Sequence, residues 1–491
     1  MTNNMITQLQ HMTPENTEFL ILSFEGPDMY SLAGGLGVRV TSLIDALSRL
    51  GFTTHLIFVG DPAKKGQEIR NGGKLVLHRW CQWISQYHPE GVYQAENDKL
   101  RDFNQSVPPY VAEQIVRPAV ERGKLVAILG EEWHTAEAMC RTSDTLYAMD
   151  LRDKVIMFWN ANNTFSFHRI DWQRLAYTTT LTTVSRYMKH IMRGMGLNPL
   201  VIPNGIPESL LSDVNEDQVA EVRDSLGADL VLSKVARWDP DKGWNTAIEA
   251  TAGLKARGLR TVLLARGGVE PYGGEVIGKA RSLGLSVREA YARRDTLEGY
   301  LEAIKQGDHE DIVNLRFHCP QDFLRILYRA SDGVLANSGH EPFGLVGLEA
   351  MAAGGIVLTG GTGEDYAIPF HNSIVLETAE SGEMEACLMY LKEHPDEANR
   401  MRRAARETAA GYAWTEVAGI LLQKLRYQAR LQGALPVQKQ VPSLGMDLLN
   451  RPEPMPERKC VLVEEARHDL AVIRTPCETL DQNLLGLTQT T

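Results

Sequence analysis

Long hydrophobic runs are missing from this sequence. No stretch approaches the roughly eighteen uninterrupted apolar residues of a membrane-spanning helix, and a span of that kind is not expected. The opening MTNNMITQLQHMTPENTE has no cationic flank leading into an apolar run, so no signal peptide is expected either. Cysteine is sparse: six residues, at 81, 140, 319, 387, 460 and 477, without a C-x-x-C pair or a zinc-type spacing. A reducing, cytoplasmic setting follows as the expectation. Basic residues are outnumbered, 51 Lys and Arg against 62 Asp and Glu, for a formal net charge of −11. That sets aside a general nucleic-acid or anionic-membrane binder and leaves room only for a local basic pocket. Tandem repeats with periods of about twenty to fifty residues are absent as well.

What is present is an ordinary globular composition, 43% hydrophobic and 23% charged, in 491 residues. That is too long for one core, so two domains with additions are expected. After a polar leader (1–18), residues 19–24 read as a strand. Val40, Leu43, Ile44, Leu47 and Leu50 then keep helical spacing up to Gly51, and residues 54–60 read as the next strand. This βαβ opening carries the turn Gly34-Gly35-Leu36-Gly37, where the backbone at Gly35 either approaches a ligand or simply turns tightly. Further strands are expected at 124–129, 154–159 and 178–185. Pro203, Gly205 and Pro207 punctuate a connection between domains.

A second alternation starts with the strand 230–236 and its exit loop 237–243. There Arg237 and Lys242 are two cations on one turn that can converge on a diphosphate. Asp239-Pro240-Asp241 within that turn reads as a turn former, with no metal assigned. The expected organisation is an N-terminal Rossmann-like domain over 19–207, a second over 208–412, a helix over 413–433 and a mobile tail over 434–491.

Residues 337–366, NSGHEPFGLVGLEAMAAGGIVLTGGTGEDY, organise the rest. Leu345, Leu348 and Ala352 recur at helical spacing, with Glu349 at the edge of the apolar stripe and expected to be largely buried. A carboxylate there needs a hydrogen-bond partner, which either the protein or a ligand hydroxyl pair supplies. Pro342 and Gly344 mark the helix start, whose unpaired N–H groups make an anion site suited to phosphate. Glu341 precedes that start by only a few residues, as a site carboxylate or as a solvated loop charge.

The block E-PFGL-xx-LEAMA-x-G, with Glu341 and Glu349 eight positions apart and GG-xx-E at Gly360, Gly361 and Glu364, resembles the nucleotide-sugar signature of retaining GT-B glycosyltransferases of family 4, the glycosyl transferases group 1. R-x-D-P-x-K-G over 237–243 resembles that family's phosphate-binding arginine and lysine. In the first half, the G-G-L turn and the E-W-H-T-A stretch with His134 resemble glycogen and starch synthases. Leu32 stands where those carry a lysine, and Glu132 where they carry an aspartate. The family's histidine after the strand 154–159 falls on Asn160 or Asn162, with His168 the nearest histidine.

The resemblance implies an α/β protein of GT-B fold, two Rossmann-like domains facing across a cleft. Acceptor would sit on the first domain, and His134, Asn162 and His168 are its candidate residues. A nucleotide-diphosphate sugar, the co-substrate rather than a cofactor, would sit on the second. Its contacts would be Gly35, Arg237, Lys242, Phe343, Gly344, Leu345, Val346 and Glu349, with Glu341, Arg237 and Lys242 catalytic. The implied reaction is metal-independent hexosyl transfer, glucosyl from a UDP- or ADP-linked donor, to a carbohydrate or other hydroxyl. A GT-B phosphorylase would carry pyridoxal phosphate on a longer chain, and an epimerase would not carry the paired-glutamate block. A catalytically weak sugar-nucleotide-binding regulator is the alternative from another class.

Overall fold

The computed structural model describes residues 12–305 and 310–435. The expected leader lies mostly outside them, as does the expected tail from residue 436 onward. Residues 12–16 already belong to the fold, Met12 being buried, and the first strand begins before residue 19.

Among the described residues the first half forms one eight-stranded sheet: β1 (Thr17–Leu22), β2 (Thr53–Val59), β3 (Gln67–Arg70), β4 (Leu75–Trp80), β5 (Leu125–Glu131), β6 (Val155–Ala161), β7 (Thr180–Thr183) and β8 (Leu200–Val201). Their order is β3-β4-β2-β1-β5-β6-β7-β8. Only the edge strand β3 runs antiparallel. The second half forms a seven-stranded parallel sheet from β9 (Leu230–Val235), β10 (Thr261–Arg266), β11 (Val287–Ala290), β12 (Ile312–Leu315), β13 (Gly333–Ala336), β14 (Val357–Thr359) and β15 (Ile374–Val375), ordered β11-β12-β10-β9-β13-β14-β15. The central strands are near-continuous apolar runs because helices cover both faces, and β1 is buried at every position. The edge pair β3 and β4 carries a weaker pattern and was not anticipated.

The helix Gly35–Arg49 starts inside the glycine turn and buries Val40, Leu43, Ile44 and Leu47. Packed against that face is the last described helix, Trp414–Leu431, through Trp414, Val417, Ala418, Leu421 and Leu425. The described chain therefore leaves the second domain and returns to the first. Its two crossings run side by side: Ile206 pairs with Ala413 in a parallel bridge. Gly205 is required beside it, because a Cβ there would come within 2.6 Å of the Trp414 ring.

The carboxyl ends of the two sheets are turned toward each other. Arg186, just after β7, donates its backbone N–H to Asp365 Oδ2 at 2.9 Å, and Asp365 follows β14. The Arg186 Nε lies 3.3 Å from Oδ1 of the same carboxylate. In a doubly wound sheet ligands bind at such carboxyl edges, so the cleft between the domains is where a site belongs.

Candidate functional site

The loop after β9 is shaped by its own side chains. Asp239 accepts the N–H of Asp241 at 2.9 Å, closing the short turn Pro240–Lys242, and Gly243 follows with φ +66. A Cβ at Gly243 would meet Asn337 O at 2.3 Å, so only glycine lets this loop lie against the loop after β13. Asp241 then binds that second loop, its carbonyl accepting Gly339 N–H at 2.8 Å and its carboxylate lying 3.1 Å from His340 Nδ1. The Asp239 carboxylate thus closes its own turn, and the Asp241 carboxylate joins the two loops. Among the described residues no cluster of three or more His, Cys, Asp or Glu is arranged to hold a metal.

Between these loops is a pocket of about 320 Å³, whose lining includes Lys234, Arg237, Lys242, Ser338, Glu341, Gly344 and Val346. Lys242 Nζ is 2.9 Å from Glu341 Oε1, and the Ser338 hydroxyl donates to the same oxygen at 3.0 Å. Three basic side chains and one carboxylate line the pocket, a balance suited to an anion.

The pocket also meets the start of the helix Leu345–Ala352. Gly344 has φ +82 and its carbonyl accepts the Tyr366 hydroxyl at 2.5 Å, while a Cβ at Gly347 would come within 2.6 Å of that hydroxyl. Tyr366 therefore fixes the helix start, leaving its first N–H groups toward the pocket.

Four of the residues expected to contact a donor do not line this pocket: Gly35, in the first domain, and Phe343, Leu345 and Glu349 beside it. Phe343 is buried and packs on Tyr366 and Tyr412, ring centroids 5.7 and 6.0 Å away. Leu345 and Glu349 share one helix face at i, i+4, whereas Val346 and Gly347 are turned to the pocket. Glu349 is partly rather than fully covered. Burial nonetheless raises its carboxyl to about 7, opposed by a hydrogen bond from Gln321.

In the first domain the expected residues are dispersed. Gly35 opens its helix, but the amide nest beside it already holds an anion: Glu25 Oε2 accepts the N–H groups of Ala33, Gly34 and Gly37 at 3.2, 2.9 and 3.0 Å. Gly35 itself is exposed, and a Cβ added there would meet nothing within 4 Å. His134 is buried, stacked on Trp133 and Phe24 with centroids 3.8 and 4.3 Å away. Its Nε2 is 2.8 Å from Glu96 Oε1, and burial lowers its pKa to about 4 against that carboxylate's pull. His134 lines a separate pocket of about 180 Å³. Asn162 is spent on the protein, donating Nδ2 to Glu131 at 2.9 Å and its backbone N–H to Glu132 at 2.6 Å. His168 is exposed in the turn Phe167–Arg169.

Sequence reasoning missed several residues that shape the site. Lys234 was legible as the lone cation of a largely apolar strand. Glu131, Arg39 and Glu25 gave no local signal. Glu131 accepts from Arg39 Nε at 3.2 Å, and Arg39 Nη1 donates to Asn204 Oδ1 at 2.7 Å, joining the cleft face to the connection between domains.

Residues 218–408 match the family model described as glycosyl transferases group 1. A D-inositol 3-phosphate glycosyltransferase of Actinosynnema mirum is 35% identical over 177 residues, which is 33% of this chain and 36% of that protein. The chain thus spans about a third of the length of the curated relative it matches. Sucrose-phosphate synthase from Thermosynechococcus elongatus superposes with a TM-score of 0.57 at 17% identity, over 85% of this chain and 100% of that one. The catalytic domain of starch synthase IV from Arabidopsis thaliana, bound to ADP and acarbose, gives 0.58 at 16% identity, over 84% and 99%. The fold is GT-B. Both α/β domains and the cleft between their carboxyl edges are those of this architecture, and the pocket lies in the GT-B domain that the family model matches.

Proposed function

We propose that the protein is a retaining glycosyltransferase that moves a hexosyl group, glucosyl in the first instance, from a nucleotide-diphosphate sugar to an acceptor hydroxyl without a metal. The observation that carries this reading is the convergence of Arg237, Lys242, Glu341, Gly344 and Val346 on one pocket. Arg237, Lys242 and the amides at the start of Leu345–Ala352 neutralise the charge that grows on the departing diphosphate, an interaction strongest in the transition state. Glu341 is held by Lys242 and Ser338 where it can bind the transferred sugar and offset its cationic character. Glu349, off the pocket lining, is assigned to the ribose hydroxyls. The bond from the sugar's anomeric carbon to the diphosphate oxygen breaks, the acceptor oxygen bonds to that carbon on the same face, and the acceptor's proton passes to the leaving phosphate. The starch synthase of like fold is bound to ADP, which accords with a nucleotide-diphosphate donor. Acceptor is assigned to the first domain.

A thermal-shift screen of UDP-, ADP- and GDP-sugars, with and without EDTA, tests the reading. A shift from one of them that survives EDTA, and donor hydrolysis that disappears in Glu341→Ala, is the expected result. No shift from any nucleotide sugar, or a shift only with metal, counts against it. A second reading, a sugar-nucleotide-binding regulator of little activity, is favoured by Glu25 filling the nest of the first glycine turn. It predicts the shift without hydrolysis or transfer.

A further inference from the structure

Lys234 differs from the other cations of the pocket. It lies on β9, and only 1% of it is exposed. Its Nζ donates to Leu335 O at 3.1 Å and to Asn337 Oδ1 at 2.6 Å, and sits 5.3 Å from the centroid of the Trp244 ring. Asn337 in turn donates Nδ2 to Gly243 O at 3.1 Å. One ammonium thus ties β9 to the end of β13 and, through Asn337, to the loop that carries Lys242. An ammonium has three protons to donate. Two are engaged by Leu335 and Asn337, and the third is left for the pocket that Lys234 lines.

The charged groups around it are few. Burial lowers its pKa to about 7, Glu341 pulls it upward, and Lys242 pushes it further down. Arg237 shares the pocket lining. A diphosphate in that pocket adds negative charge beside Lys234 and so favours its protonated form.

We propose that Lys234 is a positioning residue that joins the two donor loops and takes up a proton when the diphosphate of a nucleotide sugar enters, so that donor affinity depends on pH. The inference rests on the reading of this pocket as a donor site. By linkage, affinity is greatest when Lys234 is already protonated and declines as pH rises past its pKa in the free protein.

The test is calorimetric titration of the full chain with UDP-glucose, ADP-glucose and GDP-mannose, without acceptor, in buffers of different ionisation enthalpy. These diesters carry no phosphate that titrates near neutrality, so proton exchange reports the protein. Uptake approaching one proton per ligand is expected just above neutrality, with affinity falling by up to about tenfold per pH unit. Glu349, which titrates in the same range, would release a proton on binding and mask the uptake, so every titration is run in a Glu349→Gln background, which serves as the wild type for Lys234. Lys234→Arg, permanently charged, should bind without uptake and with a flat pH profile. Lys234→Met should lose about tenfold or more in affinity, raising KM more than it lowers kcat. Uptake of unchanged size in either variant, or a wild type that binds with no uptake, overturns the proposal while leaving the donor site intact. Binding of none of the three sugars overturns both. If neither variant folds, as judged by circular dichroism, the uptake profile of the wild type decides alone.

Discussion

Lys242 Nζ lies 2.9 Å from Glu341 Oε1, joining a loop that follows β9 to one that follows β13. Neither residue reaches the other by sequence proximity. The pair forms because Asp241 and Gly243 press the two loops together. In the pocket the ammonium holds the carboxylate in place, and on the reading of a donor site it would also meet the diphosphate.

Removing the cation should therefore do two kinds of damage. Lys242→Met takes a charge from the diphosphate and leaves Glu341 unpaired beside it. A fall in kcat/KM of about a hundredfold or more is expected. Steady-state kinetics with the donor identified by thermal shift measures it, and a loss under threefold would mean that Lys242 does not meet the leaving group.

Glu349 should leave a mark on stability as a function of pH. Its folded-state carboxyl is raised to about 7 from 4.5, so between those values the folded chain holds a proton that the unfolded chain has lost. Stability contributed by this group falls as pH rises through that window and is flat above it. Glu349→Gln should abolish that slope, giving a higher Tm than wild type at pH 8 and a smaller gain at pH 5, read by scanning calorimetry without donor. Donor affinity should fall in the same variant if the carboxylate binds ribose hydroxyls.

The buried pair Arg39 and Glu131 is the clearest stability target in the first domain. Both are almost fully covered, and Glu131 also accepts from Asn160 and Asn162 at 2.9 Å each. Arg39→Met strands a buried carboxylate and should cost about 3–5 kcal/mol in urea unfolding. The double variant Arg39→Met with Glu131→Met should be less damaged than the sum of the two singles. Simple additivity would show that the pair is not coupled.

Glu25 acts as the anion of its own glycine turn. Glu25→Ala leaves the N–H groups of Ala33, Gly34 and Gly37 without their acceptor and should cost about 1–3 kcal/mol. Millimolar sulfate should restore part of the lost Tm in the variant and leave wild type unmoved. Equal sulfate effects on both proteins would mean that the nest is not what the carboxylate fills.

Much of this architecture was legible from sequence because its signals are local. Apolar runs in alternation with amphipathic segments marked β1, β5, β6 and β9. Glycine and proline at Gly205 and Pro207 marked the crossing between domains. The family resemblance implied that Arg237, Lys242, Glu341 and Gly344 share one pocket, and the fold gathers them there. Helix phase already put Leu345 in the apolar stripe and Glu349 at its edge, and the fold turns both away from that pocket.

Chain-distant contacts carried no such mark. Nothing near Gly35 reveals that Glu25 enters its nest, and nothing near Asn162 that Glu131 and Glu132 use it up. His134 read either as an acceptor-side residue or as a helix-start histidine, and only the fold shows it packed between Phe24 and Trp133. By itself the sequence determined the elements, their order and the charged groups available, since periodicity and turn chemistry act over a few residues. Only the tertiary structure decided which polar group satisfies which, because a buried donor or acceptor takes its partner from whatever the packing brings within about 3 Å.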